Sequence, residues 1–319
     1  MRKLKIGLIG CGKIAGFHVD SLRAAGFIVL AVAGRKNSKN VNFFAKKYKI
    51  KDIWKDPLKL AKQNTNYVDA FLVAVSIDES LKYLKILSET RMPALFEKPI
   101  TYNYLNLEKY RFNRNILVAF NRRFYSSVYE AKKFVNQNNP CIVRAEVPEN
   151  MIIRNNKIIF NKLFSNSIHV FDLLIFLFGD LKFKSKLIRG TAKKADGVVA
   201  LFYSNKKDVI NYIGNWNASS NFSITIDYKN KRYQLLPIEK AKIFFGKKVV
   251  QPTKKIPIRT TIPKIYKDIK ITKYEKLYKP GFYLQSKEFY RFVKTGKFKT
   301  LANINDTIKA LKIAQILKF

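Results

Sequence analysis

The sequence predicts an α/β protein in two parts: a doubly wound parallel sheet over residues 1–121, then an α+β domain over 122–319 on an open, mostly antiparallel sheet. Three observations lead there. Through the first 120 residues, short apolar runs alternate with amphipathic runs of helical spacing, the pattern of a parallel sheet covered on both faces. A glycine-rich turn ends the first apolar run and opens the first amphipathic one. Beyond Asn121, strand-like runs follow one another with short turns between them.

In order, LKIGLIG (4–10) reads as a strand and GKIAGFHVDSLRAAG (12–26) as a helix ending on glycine. FIVLAVAG (27–34) and SKNVNFFAKKY (38–48) repeat the pair. VDAFLVAVS (68–76) is a buried strand before the helical DESLKYLKILSET (78–90). PALFEKP (93–99) is a short strand stopped by proline, then comes a helix from Thr101 to about Phe112, then the strand NILVAFN (115–121). Such strands are joined by right-handed crossovers. A helix over about 126–137 precedes CIVRAEVP (141–148), and an apolar helix runs from about Ile168 to Phe178. Strands are expected at 181–190, 197–204, 208–216, 222–228, 231–236 and 242–246. Residues 250–280, with four of the ten prolines, read as an irregular excursion. Two amphipathic helices, about 281–295 and 303–318, close the chain and are candidates to pack back on the first domain.

Of 319 residues, 47% are apolar and 14% aromatic, which excludes a disordered chain. The two cysteines, Cys11 and Cys141, lie far apart, which excludes a disulfide scaffold and a Cys-based zinc site; no metal is expected. The apolar stretch 171–178 carries Asp172 and falls far short of the roughly 20 residues of a membrane span. A cytoplasmic protein without membrane association is expected. Lys and Arg number 62 against 22 Asp and Glu, a formal net charge of +40 that attracts polyanions. The basic residues recur as doublets along the whole chain, however. Lysine rises with Asn, Ile, Phe and Tyr, all of which have AT-rich codons, and no nucleic-acid-binding motif accompanies the charge. A specific nucleic-acid partner is therefore not expected.

Gly10-Cys11-Gly12-Lys13-Ile14-Ala15 has the spacing of a dinucleotide fingerprint. Its first Gly permits the tight turn, its second lets backbone approach a pyrophosphate, and its third position, here Ala15, allows close helix–strand packing. An acid about twenty positions further on would bind an NAD ribose; this chain has Gly34-Arg35-Lys36. That favours NADP(H), with NAD(H) the alternative. Glu97-Lys98-Pro99 ends a strand, where open α/β sheets bind ligands, and Lys98 there could hydrogen-bond a substrate hydroxyl. His18 reads as a packing or capping residue. His169 opens the apolar helix with Asp172 three residues on along the same face; histidine is the commonest proton shuttle near neutral pH, and the alternative is a hydrogen-bonded core histidine.

GLIGCGKIAGFH (7–18), FEKPIT (96–101), VAFNRRF (118–124), NSIHVFDLLIFLFG (166–179) and the ending around Gln285, Phe289 and 301–317 together resemble one family. It is the glucose–fructose oxidoreductase / inositol dehydrogenase / MocA family (Gfo/Idh/MocA) of NAD(P)-dependent oxidoreductases. The resemblance implies a Rossmann domain followed by an α/β domain whose open sheet often forms an oligomer interface, hence a dimer or tetramer. It implies Lys98 and His169 as catalytic residues. Gly10, Cys11, Gly12, Lys13, Ile14, Arg35, Lys36, Ser76, Glu97, Lys98 and Asn121 would contact the cofactor; Lys98, Arg123, Asn166, His169 and Asp172 would contact the substrate. Three departures stand out. Many members carry Asp and Gly where this chain has Ser165 and Ser167, so a polar role passes to Asn166 or Asp172. The loop after VAVS is Ile77-Asp78-Glu79-Ser80 rather than Pro-Asn-x-x-His, and position 34 lacks its acid. The implied function is hydride transfer on a secondary alcohol or ketone of a sugar, cyclitol or nucleotide-sugar. The alternatives are a cofactor-binding regulator of the same fold and, more remotely, a nucleic-acid-binding protein.

Overall fold

The computed structural model describes residues 2–35, 39–149, 163–190 and 195–318. The chain forms two compact units, Met1–Phe124 with Lys273–Ile316, and Tyr125–Thr272 with Leu317–Phe319. The boundary expected at 121/122 thus falls three residues later, and residues 273–316 belong to the first unit.

The first unit is a seven-stranded sheet of β1 (Lys5–Ile9), β2 (Ile28–Ala33), β3 (Asp52–Trp54), β4 (Ala70–Val73), β5 (Ala94–Phe96), β6 (Ile116–Val118) and β15 (Ala302–Asn303). Their order is β15-β6-β5-β4-β1-β2-β3, parallel throughout except β15, which runs antiparallel to β6. β1 sits between β2 and β4, with Leu8 opposite Val32 on one side and Leu72 on the other. The chain winds outward from β1 in one direction, then returns to wind outward in the other. A crevice therefore opens at the carboxyl end of β1, where the flanking connections leave to opposite faces.

Helix α1 (Lys13–Ala25) follows β1 directly. It ends at Gly26, whose left-handed φ of 109° lets its N–H reach the Arg23 and Leu22 carbonyls, closing the helix as glycine does best. Its apolar stripe packs on the sheet, and Phe27 beyond it meets Phe289 and Tyr290 of the late helix Phe282–Thr295 at ring-centroid distances of 5.8 and 4.9 Å.

Short elements beyond the sequence expectations include β3 and a one-turn helix at Pro57–Ala61. Asp56 caps that helix by accepting from the Leu58 and Lys59 amides, with Pro at its first position. The helix expected from Thr101 is instead a 3₁₀ run, Tyr104–Tyr110, started by Asn103 accepting from the Leu105 amide.

The second unit is an eight-stranded sheet of β7 (Ile142–Val147), β8 (Leu181–Arg189), β9 (Gly197–Ser204), β10 (Val209–Asn215), β11 (Ser223–Tyr228), β12 (Lys231–Leu235), β13 (Ala241–Val250) and β14 (Thr260–Ile269). Their order is β14-β13-β12-β11-β7-β10-β9-β8, antiparallel except for the pair β7/β10, so the expected mostly antiparallel sheet is present. One face is covered: Phe134 of helix Ser126–Gln137 meets Tyr233 of β12, and Phe171 of helix Ile168–Phe178 meets Tyr212 of β10. Phe183, Leu187, Val199 and Tyr203 are exposed in this unit.

The irregular excursion expected over 250–280 is a correction. Ten of its residues form β14 and five the short helix Lys273–Leu277, and β13 runs on to Val250, while 251–259 lie in no helix or strand. Prolines suggested a break, but β14 is an edge strand, where Pro263 forfeits no obligatory ladder bond. The ladder slips between Phe244 and Lys247, around Gly246 at φ 67°.

Candidate active site

The glycine turn lies at the carboxyl end of β1, in the crevice. Gly10 has a φ of 104°, and its N–H donates to the Ala33 carbonyl. Gly12 is exposed, with nothing within 4 Å of where a Cβ would lie, so backbone alone faces that space. It is the N-cap of α1, yet no side chain caps the helix and its first turn holds no acid. An uncapped helix start with open backbone beside it suits an anion, because free N–H groups and the positive end of the dipole point at the same place. Cys11, Gly12 and Lys13 also line a cavity of about 340 Å³ with Asn40, Phe44 and Tyr48. Ile14 is half-buried, and Ala15 is completely buried in the core. These residues fit a dinucleotide's pyrophosphate.

Gly34 closes β2 under helix Lys39–Lys47: a Cβ there would lie 2.8 Å from Val41 Cβ and 3.3 Å from Cys11 Sγ. An acid at this position would have to displace Val41, which gives the missing carboxylate a packing cause as well as a ligand one. Arg35 is exposed beside it. Its charge acts on Tyr83 of helix Ile77–Glu89, whose phenol is raised by burial first and by Glu79, and drawn back by Arg35. Lys36 lies outside the described residues. Ser76 is exposed at the start of that helix, beyond β4.

Glu97 and Lys98 follow β5, two strands from β1, and both are half-buried. Of the two expectations for His18, packing holds and capping does not. It is fully buried, and rather than capping a helix its Nε2 lies 2.6 Å from Glu97 Oε1. Glu97 Oε2 accepts from the Lys98 amide at 3.3 Å. Burial pushes the Glu97 carboxyl up, but the hydrogen bond and charge of His18, then Lys98, outweigh it and hold the carboxyl below its ordinary range.

Asn121 and Arg123 lie in the 3₁₀ turn Asn121–Phe124, after β6. Both are buried. Asn121 Nδ2 donates to the Pro280 carbonyl at 2.9 Å; Arg123 Nη1 lies 3.2 Å from Asp306 Oδ2 and 3.4 Å from the Thr300 carbonyl.

In the second unit, His169 and Asp172 sit near the start of helix Ile168–Phe178, and both residues are buried. A single π-turn, Leu163–Ser167, leads into it. Sequence reasoning passed over Glu149, which is buried just beyond β7. Its carboxylate accepts from Asn166 Nδ2 at 2.8 Å, from the Ser167 amide at 3.1 Å and from Ser167 Oγ at 2.6 Å. Glu149 thus clasps the turn that presents His169, and Ser167, a departure from the family pattern, supplies two of the three donors. Nothing local in the sequence marks this, because Glu149 and Ser167 are 18 positions apart.

Among the described residues no group of His, Cys, Asp or Glu could hold a metal ion, and no helix is long and apolar enough to cross a membrane. Residues 4–110 match the model of an oxidoreductase family with an NAD-binding Rossmann fold. Solved structures share the fold over nearly the whole chain. An oxidoreductase from Agrobacterium radiobacter in complex with NAD+, L-tartaric acid and magnesium is 14% identical, with 98% of this chain and 95% of that one covered at a TM-score of 0.76. UDP-N-acetylglucosamine 3-dehydrogenase from Acidithiobacillus ferrooxidans is 14% identical, with 100% and 97% covered at 0.76. Levoglucosan dehydrogenase in complex with NADH is 14% identical, with 99% and 96% covered at 0.78. No functionally curated protein matches the sequence.

Proposed function

We propose that this chain, whose residues 4–110 match the model of an oxidoreductase family with an NAD-binding Rossmann fold and whose motifs resemble the Gfo/Idh/MocA family, oxidises or reduces a secondary alcohol or ketone of a sugar, cyclitol or nucleotide-linked sugar. The observation that carries the reading is the open, uncapped start of α1 at the point where the strand order reverses its winding, with Lys98 at a strand end of the same sheet. The names of two proteins of this fold, a UDP-N-acetylglucosamine dehydrogenase and a levoglucosan dehydrogenase, support the sugar class.

When bound, the nicotinamide cofactor supplies or accepts the hydride. The residues of this chain hold and orient. Gly10, Gly12 and the first amides of α1 take the pyrophosphate, and Arg35 faces the ribose end, where its fork suits a 2′-phosphate. Lys98 donates a hydrogen bond to the reacting oxygen, favouring the alkoxide-like charge that develops there. His169 exchanges the hydroxyl proton, and the clasp of Glu149 on Ser167 holds its helix start in place. Asn166 and Asp172 complete the substrate's polar surroundings.

Nicotinamide absorbance against a panel of sugars, cyclitols and nucleotide-sugars tests this. Turnover is expected on at least one, with Lys98→Met and His169→Ala each lowering kcat by about 10²-fold or more. Unchanged turnover in both variants overturns the assignment of roles. Tight cofactor binding with no turnover on any panel member would favour a regulator instead.

A further inference from the structure

His18 is an odd residue for its surroundings. Its ring is fully buried on α1, 4.6 Å from the Phe282 ring. Nδ1 has no hydrogen-bond partner among the described residues, while Nε2 meets the Glu97 carboxylate at 2.6 Å. A buried polar ring costs stability that an apolar side chain would not, so packing alone gives it no purpose. What it reaches does. Glu97 is bonded through its other oxygen to the amide of Lys98, so a polar link runs from α1 to the lysine at the end of β5.

We propose that His18 is a positioning residue for Lys98, acting through Glu97. This rests on reading Lys98 as the group that handles the substrate oxygen. Facing a carboxylate, Nε2 carries the proton and donates it into the hydrogen bond. The carboxylate is thereby fixed in place next to Lys98. A fixed anion favours the protonated ammonium of Lys98, and the tie to the Lys98 amide sets the direction in which that side chain leaves the turn. The charged groups acting on Glu97 are His18, from α1, and Lys98, on its own turn. Without His18, the Glu97 carboxylate keeps its charge over the range where lysine titrates but is no longer held in place, so Lys98 loses a fixed negative neighbour through position rather than through charge.

The test needs neither substrate nor cofactor. Lys98 is acylated with the N-hydroxysuccinimide ester of acetic acid across a pH series, and its rate is read by peptide mass mapping, with exposed Lys82 as an internal reference. In His18→Phe the midpoint of the Lys98 profile is expected to fall by about one pH unit, so that acylation on the acid limb quickens about tenfold. Lys82 should not change. Glu97→Gln should move the profile in the same direction, and it reaches the link without touching the buried ring. His18→Gln, which keeps a donor near the Nε2 position, should restore most of the wild-type profile. Profiles of folded His18→Phe and Glu97→Gln that superimpose on wild type overturn the proposal. Lys98→Met with full turnover would remove the proton role of Lys98 and leave the link intact, so the two failures are distinguishable.

Discussion

Gly10 passes so close to Ala74 that a Cβ on it would lie 2.2 Å from the Ala74 carbonyl oxygen. Gly12, two residues on, has nothing within 4 Å of where its Cβ would lie. The two glycines of the fingerprint therefore serve different ends: the first lets the chain turn beneath β4, and the second leaves backbone bare to a ligand.

Alanine separates those ends. Gly10→Ala meets both the backbone contact and the left-handed φ, and is expected to destabilise the protein by on the order of 2–3 kcal/mol. Gly12→Ala should leave the melting temperature within about 2 °C of wild type. It should nonetheless weaken dinucleotide binding about tenfold or more, as read by calorimetry. Equal cofactor affinity in Gly12→Ala and wild type would remove the glycine turn from the site.

Cofactor choice follows from Gly34 and Arg35. Gly34 offers no carboxylate to a ribose, and Arg35 is exposed beside it with a planar donor fork. A charge-assisted hydrogen bond to a 2′-phosphate contributes about 1.5–3 kcal/mol. NADPH is therefore expected to bind at least about tenfold more tightly than NADH in moderate salt. Arg35→Ala should erase most of that margin and leave NADH affinity nearly unchanged. Equal dissociation constants for the two cofactors, or a preference for NADH, would show that Arg35 does not face the 2′ position.

Glu149 holds the start of the His169 helix through three donors. Glu149→Ala leaves the buried Ser167 donors without their acceptor and should cost about 2–3 kcal/mol of stability. Ser167→Ala, which keeps the amide bond to Glu149, should cost about 1 kcal/mol. Denaturant unfolding measures both. A cost below about 0.5 kcal/mol for Glu149→Ala would mean that the clasp contributes nothing to the fold.

The two thiols should behave very differently. Burial, then the charges of Asp208 and Asp227, push Cys141 up to about 12, whereas Cys11 is half-buried in the glycine turn. Near about pH 8 the folded protein is expected to show a single fast-reacting thiol, Cys11. NADPH should slow that reaction, because the cofactor would cover the turn. Two fast thiols, or a Cys11 rate indifferent to saturating cofactor, would contradict the placement.

The sequence alone determined the features that repeat over short distances. Alternation of apolar strands with amphipathic helices predicted the parallel sheet, the glycine turn marked its crevice, and directly successive strands predicted the antiparallel second sheet. These patterns are local, since burial on one face or both imposes its period on neighbouring residues. The tertiary structure decided what depends on residues far apart in the chain. Ala302 and Asn303 join the first sheet by pairing with Val118 and Leu117, almost two hundred positions away. β14 is a strand in spite of its proline because β13 offers it an edge. Val41 shapes position 34, His18 finds Glu97 across 79 residues, and Glu149 finds Ser167 across 18. No period links such partners: each contact exists because the packed core brings two buried polar groups, or two backbones, to the same place.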